Sequence, residues 1–379
     1  MRLKLLFCIK AMNNPGGGAE RVLAYVANGL VKRGYRVGVL SFDQPGGHSF
    51  YNLDPKIDRI ELGIGSTIKP ASTFITIKRI KALRKNVKAY APDVTIGFMH
   101  SMFIPLGFAL LGTSIPMIAS EHIVPEHYRK YPLQLLLFYS TPFIADQITC
   151  VSEQVQKLYH PFIARKMFVV PNPIGPKGYK HADVLGRDKK YKILLAVGRL
   201  EPQKDYLTLI KAFSMISDYF PDWNLRIVGD GQMRQRLESV IKNRGLKNRI
   251  YLPGAKREIS KEYLSAQLFV QSSRYESFCL TTAEALSHGL PVVGFKDCPG
   301  VNQLIINGVN GYLVTGKRNK IVNLANTLKS LMQNDKLRIE LSQHSTITLN
   351  KYSLENILDR WEEIIHRVIN KPLVQKLYK

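Results

Sequence analysis

Two series of strand-then-helix alternation, separated by a proline-rich break, restrict this chain more than any other feature. Residues 3–9 (Leu-Lys-Leu-Leu-Phe-Cys-Ile) read as a strand, followed by a glycine-rich turn at 15–18, a helix over 19–33 and a strand at 35–42. Residues 171–190 carry Pro171, Pro173, Pro176, Gly175 and Gly178 without apolar periodicity, and read as an interdomain linker. The alternation then resumes, with strands at 192–197, 224–229, 249–252, 267–271 and 291–295 and helices over about 205–219, 232–244 and 279–288. Such alternation builds open parallel sheets covered by helices on both faces. The expected fold is therefore α/β, with two Rossmann-like domains, residues 1–175 and 176–352, facing each other across a ligand-binding cleft. Residues 353–370 form an amphipathic helix with Leu354, Ile357, Leu358, Trp361, Ile364, Ile365 and Val368 on one side.

A chain of 379 residues suits two or three domains. Four dispersed cysteines with no CxxC pair argue against a disulfide scaffold or a structural zinc site, and fit a reducing compartment. The amino-terminal apolar run is closed early by Lys10 and reads as a strand rather than a leader. Residues 97–120 lack Asp, Glu, Lys and Arg and have the length of a bilayer span. Pro105, Pro116, Gly107, Gly112 and His100 interrupt them, so they read as a strand (93–98), a helix (102–111) and another strand (115–119), the strands buried on both faces.

Lys and Arg number 54 against 29 Asp and Glu, a net charge of +25 that draws the protein toward polyanions. Nucleic acid, an anionic membrane and phosphate-bearing substrates all satisfy that charge. No zinc module, RRM signature or helix-turn-helix pattern accompanies it, so no nucleic-acid partner is expected. Residues 74–90 carry Lys78, Arg79, Lys81, Arg84, Lys85 and Lys88 without an acid. At helical spacing Lys78, Lys81, Lys85 and Lys88 form one stripe beside an apolar face of Ile77, Ile80, Leu83 and Val87. This is either a solvated helix face or, with Arg84 included, a contact for anionic headgroups or an acceptor's pyrophosphate. Each such cation is worth about 1 kcal/mol at an anionic surface. Tyr131–Phe143, rich in Leu and aromatics, is either core or a further apolar membrane contact.

Three segments carry candidate chemistry. The turn from Asn14 to Arg21, with Gly16, Gly17 and Gly18, either admits a ligand to the backbone and a helix N-terminus or is simply a tight strand–helix turn. It has neither GxGxxG spacing nor a GxxxxGK[ST] pattern, which disfavours nicotinamide dehydrogenases and P-loop NTPases. Gly198–Asp205 places Arg199 and Lys204 after the first strand of the second half, where a fork and a point charge would neutralise a pyrophosphate. In Ser273–Glu284, Glu276 lies in a loop and Glu284 within the following helix, whose first amides, at 278–281, would meet phosphate oxygens. By themselves these two carboxylates are either sugar-binding groups or surface glutamates.

Together these segments resemble the retaining GT-B glycosyltransferases of family 4. The matching stretches are Gly16–Arg21, Ser120-Glu121-His122, Val151-Ser152-Glu153, Val170-Pro171-Asn172-Pro173, Val197–Leu200 with Lys204, Val228-Gly229-Asp230-Gly231, the Glu276–Glu284 pair and Asn307-Gly308 to Val314. They follow the family's order and cover nearly the whole chain. The resemblance implies that Gly17 and Gly18 contact donor phosphate or acceptor, that Gly229 belongs to the donor site, and that His122 sits near the donor sugar. It implies that Arg199 and Lys204 stabilise the departing diphosphate, and that Glu276 holds sugar hydroxyls. The backbone of Ser277, Phe278, Cys279, Leu280 and Thr281 would support sugar and phosphate, and Glu284 the ribose. It also implies that residues 353–379 cross back to the N-terminal domain.

Ser277 and Cys279 depart from the family's usual glycine and proline, the loop Asp297–Gln303 is one residue short, and Gln303 replaces a common glutamate. These departures bear on the donor sugar. The absence of an Asp-x-Asp motif favours a metal-independent reaction with no cofactor beyond the nucleotide-sugar co-substrate. The expected activity is transfer of a sugar, N-acetylhexosamine among the candidates, from a nucleoside diphosphate, UDP by family frequency, to a polyprenyl-diphosphate-linked glycan. The expected setting is peripheral, on the cytoplasmic face of an anionic membrane. The alternatives are a soluble acceptor, a degenerate subunit, or a non-enzymatic polyanion-binding protein.

Overall fold

The computed structural model describes residues 2–13, 17–175, 180–187 and 189–370. Asn14, Pro15 and Gly16 of the glycine turn, and residues 176–179 of the proline-rich segment, lie outside them. The chain divides into two compact units, Met1–Pro173 with Leu354–Lys379, and Ile174–Ser353.

The first unit holds seven strands: β1 (Lys4–Cys8), β2 (Arg36–Ser41), β3 (Asp58–Glu61), β4 (Val94–Phe98), β5 (Met117–Ser120), β6 (Gln147–Cys150) and β7 (Met167–Val169). Their order is β3-β2-β1-β4-β5-β6-β7 and every neighbouring pair is parallel. The second holds β8 (Lys192–Val197), β9 (Trp223–Val228), β10 (Ile250–Tyr251), β11 (Leu268–Gln271), β12 (Val292–Phe295) and β13 (Gly311–Val314), parallel throughout in the order β10-β9-β8-β11-β12-β13. Each unit is thus a doubly wound Rossmann-like sheet, as the alternation predicts. Leu5–Cys8 and Leu194–Ala196 are fully buried, because helices cover both faces. In each sheet the winding direction reverses beside the first strand, between β1 and β4 and between β8 and β11. Open α/β sheets bind ligands beyond the carboxyl ends of the strands at that point.

The charge-free stretch folds as the end of β4, a helix from His100 to Leu110 with Pro105 inside it, and β5. Among the described residues no helix is long and apolar enough to cross a membrane. The expected 205–219 helix ends at Ser214 and continues as a 3-10 turn at Ser217–Tyr219. Residues 180–187 correct the linker reading. Ala182 and Val184 are buried, the Ala182 amide donates to the His288 carbonyl (2.8 Å), and Arg338 Nε donates to the Val184 carbonyl (3.0 Å). Backbone hydrogen bonds, invisible to hydrophobic periodicity, bind this segment to the second unit.

The C-terminal helix, Leu354–Ile369, packs on the first helix of the chain, Gly18–Lys32. A Cβ at Gly29 would lie 2.6 Å from Leu358 Cδ1, so glycine permits the close approach. Arg33 clamps the two helices through Glu355 (2.7 Å), Asp359 (2.7 Å) and Glu362 (2.6 Å). Trp361, fully buried, stacks on Phe98 at the end of β4 (5.9 Å between centroids), and Phe98 stacks in turn on His122 (4.9 Å). Burying each such large side chain contributes about 1.5–3 kcal/mol.

Candidate active site

In the second unit, Arg199 and Lys204 follow β8, and Glu276 and the helix Leu280–Ser287 follow β11. The turn Pro202–Lys204 and the loop 272–276 are tied together by backbone and side chain. The Arg274 amide donates to the Gln203 carbonyl (2.8 Å), Gln203 Nε2 to the Tyr275 carbonyl (2.8 Å) and Ser272 Oγ to the Lys204 carbonyl (2.7 Å). Lys204 Nζ consequently sits 2.6 Å from Glu276 Oε1, which also accepts from Ser273 Oγ at 2.6 Å. Both charges are nearly buried, with side-chain exposures of 14% and 10%. Burial opposes the Lys204 ammonium, but the neighbouring Glu276 outweighs it and the net shift is upward, so Lys204 is charged at neutral pH. Arg199 is exposed and, among the described residues, has no ion-pair partner.

Close backbone packing holds this frame. A Cβ on Gly229 would fall 2.0 Å from the Gly198 carbonyl oxygen, so only glycine lets the loop after β9 touch the loop after β8. The Gly300 amide donates to the Glu276 carbonyl (3.1 Å), and a Cβ there would lie 2.7 Å from Glu276 C. The loop carrying the departures Asp297–Gln303 thus buttresses the Glu276 loop. Gln303 Nε2 is buried there without a hydrogen-bond partner.

Cys279 caps the helix Leu280–Ser287 at φ 64°, a left-handed conformation that favours glycine. Its Sγ lies 3.1 Å from Thr282 Oγ1, and burial raises its thiol pKa. Phe278 is buried edge-on against Tyr352 (4.9 Å), so it offers a ligand only its backbone. The first turn of the helix presents amides with no partner inside the helix, beside half-buried Ser277, Leu280 and Thr281. Glu284, one turn further, accepts from Tyr263 Oη at 2.9 Å. A nearly buried cation–carboxylate pair, an exposed guanidinium, free helix amides and a second carboxylate therefore share one end of one sheet.

The remaining predicted residues belong to the first unit. Gly17 precedes, and Gly18 opens, the helix after β1, and a Cβ on Gly17 would clash with Glu20 Oε2 at 1.8 Å. His122 follows β5, with Nε2 3.0 Å from Ser120 Oγ, and burial lowers its pKa to about 4 against the opposing Asn172 contact. It is a neutral imidazole at pH 7. Its neighbour Glu121 is buried and accepts from Tyr128 Oη (2.7 Å) and the Ile123 amide (2.8 Å). Burial pushes that carboxyl up to about 7 against both bonds. Glu121 stood in the Ser-Glu-His motif, but nothing in its spacing marks it as buried.

The basic helix spans Thr73–Tyr90, with Lys78, Lys81, Lys85 and Lys88 exposed. Two expectations for it are corrected. Arg84 does not join the outward stripe, because its Nη1 caps the carbonyls of Ala109 and Leu111 (both 2.8 Å), which the end of helix His100–Leu110 leaves without intrahelical partners. Ile77 is 48% exposed rather than packed, while Arg79 takes the buried face, over the Phe42 ring and bonded to the Ile64 and Ser66 carbonyls. In the Tyr131–Phe143 stretch Phe138 is core, and Leu133, Leu136 and Phe143 are more than 60% exposed.

Comparison with known proteins agrees with this architecture. Residues 180–346 match the family described as glycosyl transferases group 1, and residues 16–177 match glycosyltransferase family 4. An uncharacterized glycosyltransferase of Haemophilus influenzae is 29% identical over 92% of this chain and 96% of its own length. A Campylobacter jejuni α-1,4-N-acetyl-D-galactosaminyltransferase, whose name specifies a GalNAc-GalNAc-diNAcBac-PP-undecaprenol substrate, is 27% identical over 97% of this chain and 99% of its own. Among solved structures, Anabaena HepE in complex with UDP and glucose superposes with a TM-score of 0.78 at 20% identity, covering 96% of this chain and 99% of that one. The two family matches lie one on each half of the chain in the order of its two sheets, the fold is that of the GT-B glycosyltransferases, and together they support a glycosyltransferase.

Proposed function

We propose that this glycosyltransferase moves a hexosyl group, N-acetylhexosamine among the candidates, from a UDP-sugar to the saccharide of a polyprenyl-diphosphate-linked acceptor. The transfer retains the anomeric configuration and needs no metal ion. The observation that carries the donor side is the Lys204–Glu276 pair, 2.6 Å apart at the end of β8 and β11 beside the helix amides of 278–281. When the anomeric C–O bond breaks, positive charge develops on the sugar ring and negative charge on the departing diphosphate. Lys204 and the helix amides are fixed donors for that negative charge and need no reorganisation at the moment of reaction, and the exposed Arg199 fork adds a second cation. Glu276 and Glu284 are acceptors for the sugar and ribose hydroxyls. Retention proceeds without a covalent intermediate.

The acceptor side draws support from the undecaprenol-linked substrate in the Campylobacter relative's name and from the four exposed lysines of helix Thr73–Tyr90. Those lysines and exposed Leu133 and Leu136 suit an anionic cytoplasmic membrane surface, on which the enzyme sits peripherally. Calorimetric titration with UDP, GDP and ADP tests the donor half: UDP binds, and Glu284→Ala weakens it at least tenfold. Failure of all three nucleotides to bind refutes the reading. Co-sedimentation with phosphatidylglycerol-containing vesicles at low salt tests the membrane half, which fails if the protein stays in the supernatant.

A further inference from the structure

The carboxyl end of the first sheet carries a group of side chains that the donor site does not use. His100 opens the helix after β4, and His127 ends up beside it from the short helix Pro125–Tyr128 after β5. Their rings are 5.9 Å apart, and Tyr131 follows 5.1 Å beyond His127. The series runs from half-buried His100 outward to Tyr131, which is 46% exposed. Such a graded run of rings is a surface rather than a core packing.

Two buried polar atoms on this surface, His100 Nδ1 and Gln134 Oε1, have no hydrogen-bond partner. The Gln134 amide faces His100 closely enough to bias its titration, but in a geometry that completes no bond. Buried polar groups left unpaired are costly, and each calls for an explanation. Met99, which aims His100, has φ 68° and ψ 147°, a region nearly confined to glycine, and is held there by its amide bond to the Ser120 carbonyl (2.9 Å). Lys10, at the end of β1, is half-buried, close enough to His100 to act on its charge, and without a carboxylate partner among the described residues. Sugar rings present C–H bonds on one face and hydroxyls at the rim. Aromatic faces attract the first, and a convergent imidazole and amide pair with the second.

We infer that His127 and Tyr131 form a stacking platform, with His100 and Gln134 as its hydroxyl-binding edge, for a pyranose of the acceptor glycan held by the first unit. This rests on the transferase reading, whose acceptor it locates. On this platform the adjacent Lys10 meets an anionic neighbour of that sugar. The exposed Leu133 and Leu136 lie on the same short helix as Gln134, so a saccharide here would sit next to the apolar surface.

Saturation-transfer NMR on the full chain, saturated with UDP, tests this with the methyl α-glycosides of glucose, galactose, N-acetylglucosamine and N-acetylgalactosamine. At least one glycoside shows transfer to its ring protons. Tyr131→Ala and His127→Ala reduce its affinity roughly tenfold, Tyr131→Phe restores it, and Gln134→Leu weakens it while melting at the parent temperature. UDP affinity, measured calorimetrically, is unchanged in all four variants. The inference is overturned if no glycoside shows transfer, or if the transfer survives both alanine variants. Tyr131-dependent glycoside binding in a protein that binds no nucleotide would instead keep the platform and refute the transferase reading.

Discussion

Lys204 Nζ and Glu276 Oε1 stand 2.6 Å apart on loops that follow different strands of one sheet. Each is the other's main charge neighbour in a nearly dry setting, so neither can be removed alone without exposing the other. Lys204→Ala is expected to lower stability by about 3 kcal/mol by leaving a buried carboxylate unpaired, and to reduce kcat by at least a hundredfold. The double variant Lys204→Met, Glu276→Gln should recover most of the stability and none of the activity. Chemical denaturation alongside donor-turnover kinetics separates the two effects.

Arg199 presents the opposite case. It is exposed and structurally idle, so Arg199→Ala should stay within about 0.5 kcal/mol of the parent. Its effect belongs to the departing diphosphate, and kcat is expected to fall by roughly 10²-fold. A measured loss of stability exceeding the loss of activity would remove Arg199 from the site.

The backbone at Cys279, φ 64°, reverses the usual order of core truncations. Left-handed geometry costs a residue with a Cβ about 1–2 kcal/mol, and alanine keeps that penalty while losing the sulfur's contacts. Cys279→Gly should therefore be more stable than Cys279→Ala by about 1 kcal/mol, although it deletes more atoms. Thermal melting of the two variants decides it.

Glu121 and His122 titrate in opposite senses. The Glu121 carboxyl is pushed up to about 7, so its contribution to stability is complete below about 4.5 and is lost as pH rises to about 7. His122 is lowered to about 4, so its cost appears as pH falls below about 6.5 and grows down to about 4. Glu121→Gln removes the first effect and keeps a group able to bond Tyr128 and the Ile123 amide. Its melting temperature relative to the parent should therefore rise between pH 5 and pH 8. A difference independent of pH would mean that Glu121 is ionised in the folded protein.

Periodicity and glycine placement made both sheets legible from the residues, because parallel strands covered on both faces are almost purely apolar. The strands that escaped notice, β3, β6, β7 and β13, are short and all lie at or beside a sheet edge, where a strand such as β3 tolerates Asp58, Arg59 and Glu61. Motif spacing located Arg199, Lys204, Glu276 and Glu284 at one switch point. It could not reveal that Lys204 and Glu276 bond to each other, which depends on loop-to-loop hydrogen bonds. Charge alone likewise put Arg84 with the headgroup-binding lysines, since a tally of cations does not register the two carbonyls of another helix that it caps. Residues 180–187, read as a linker, are bound by main-chain bonds that leave no apolar signature.

The helix Leu354–Ile369 belongs to the unit begun by the first 173 residues, with the whole second sheet encoded between them. During synthesis the first sheet therefore has to wait for its last element. At about 5–20 residues per second, the delay between Pro173 and Leu354 emerging is on the order of ten to forty seconds. The second unit can close during that interval. The groove along Gly29 and the face of Phe98 that Trp361 later covers stay bare, which makes the nascent chain, more than the finished enzyme, the form exposed to chaperones and misassembly.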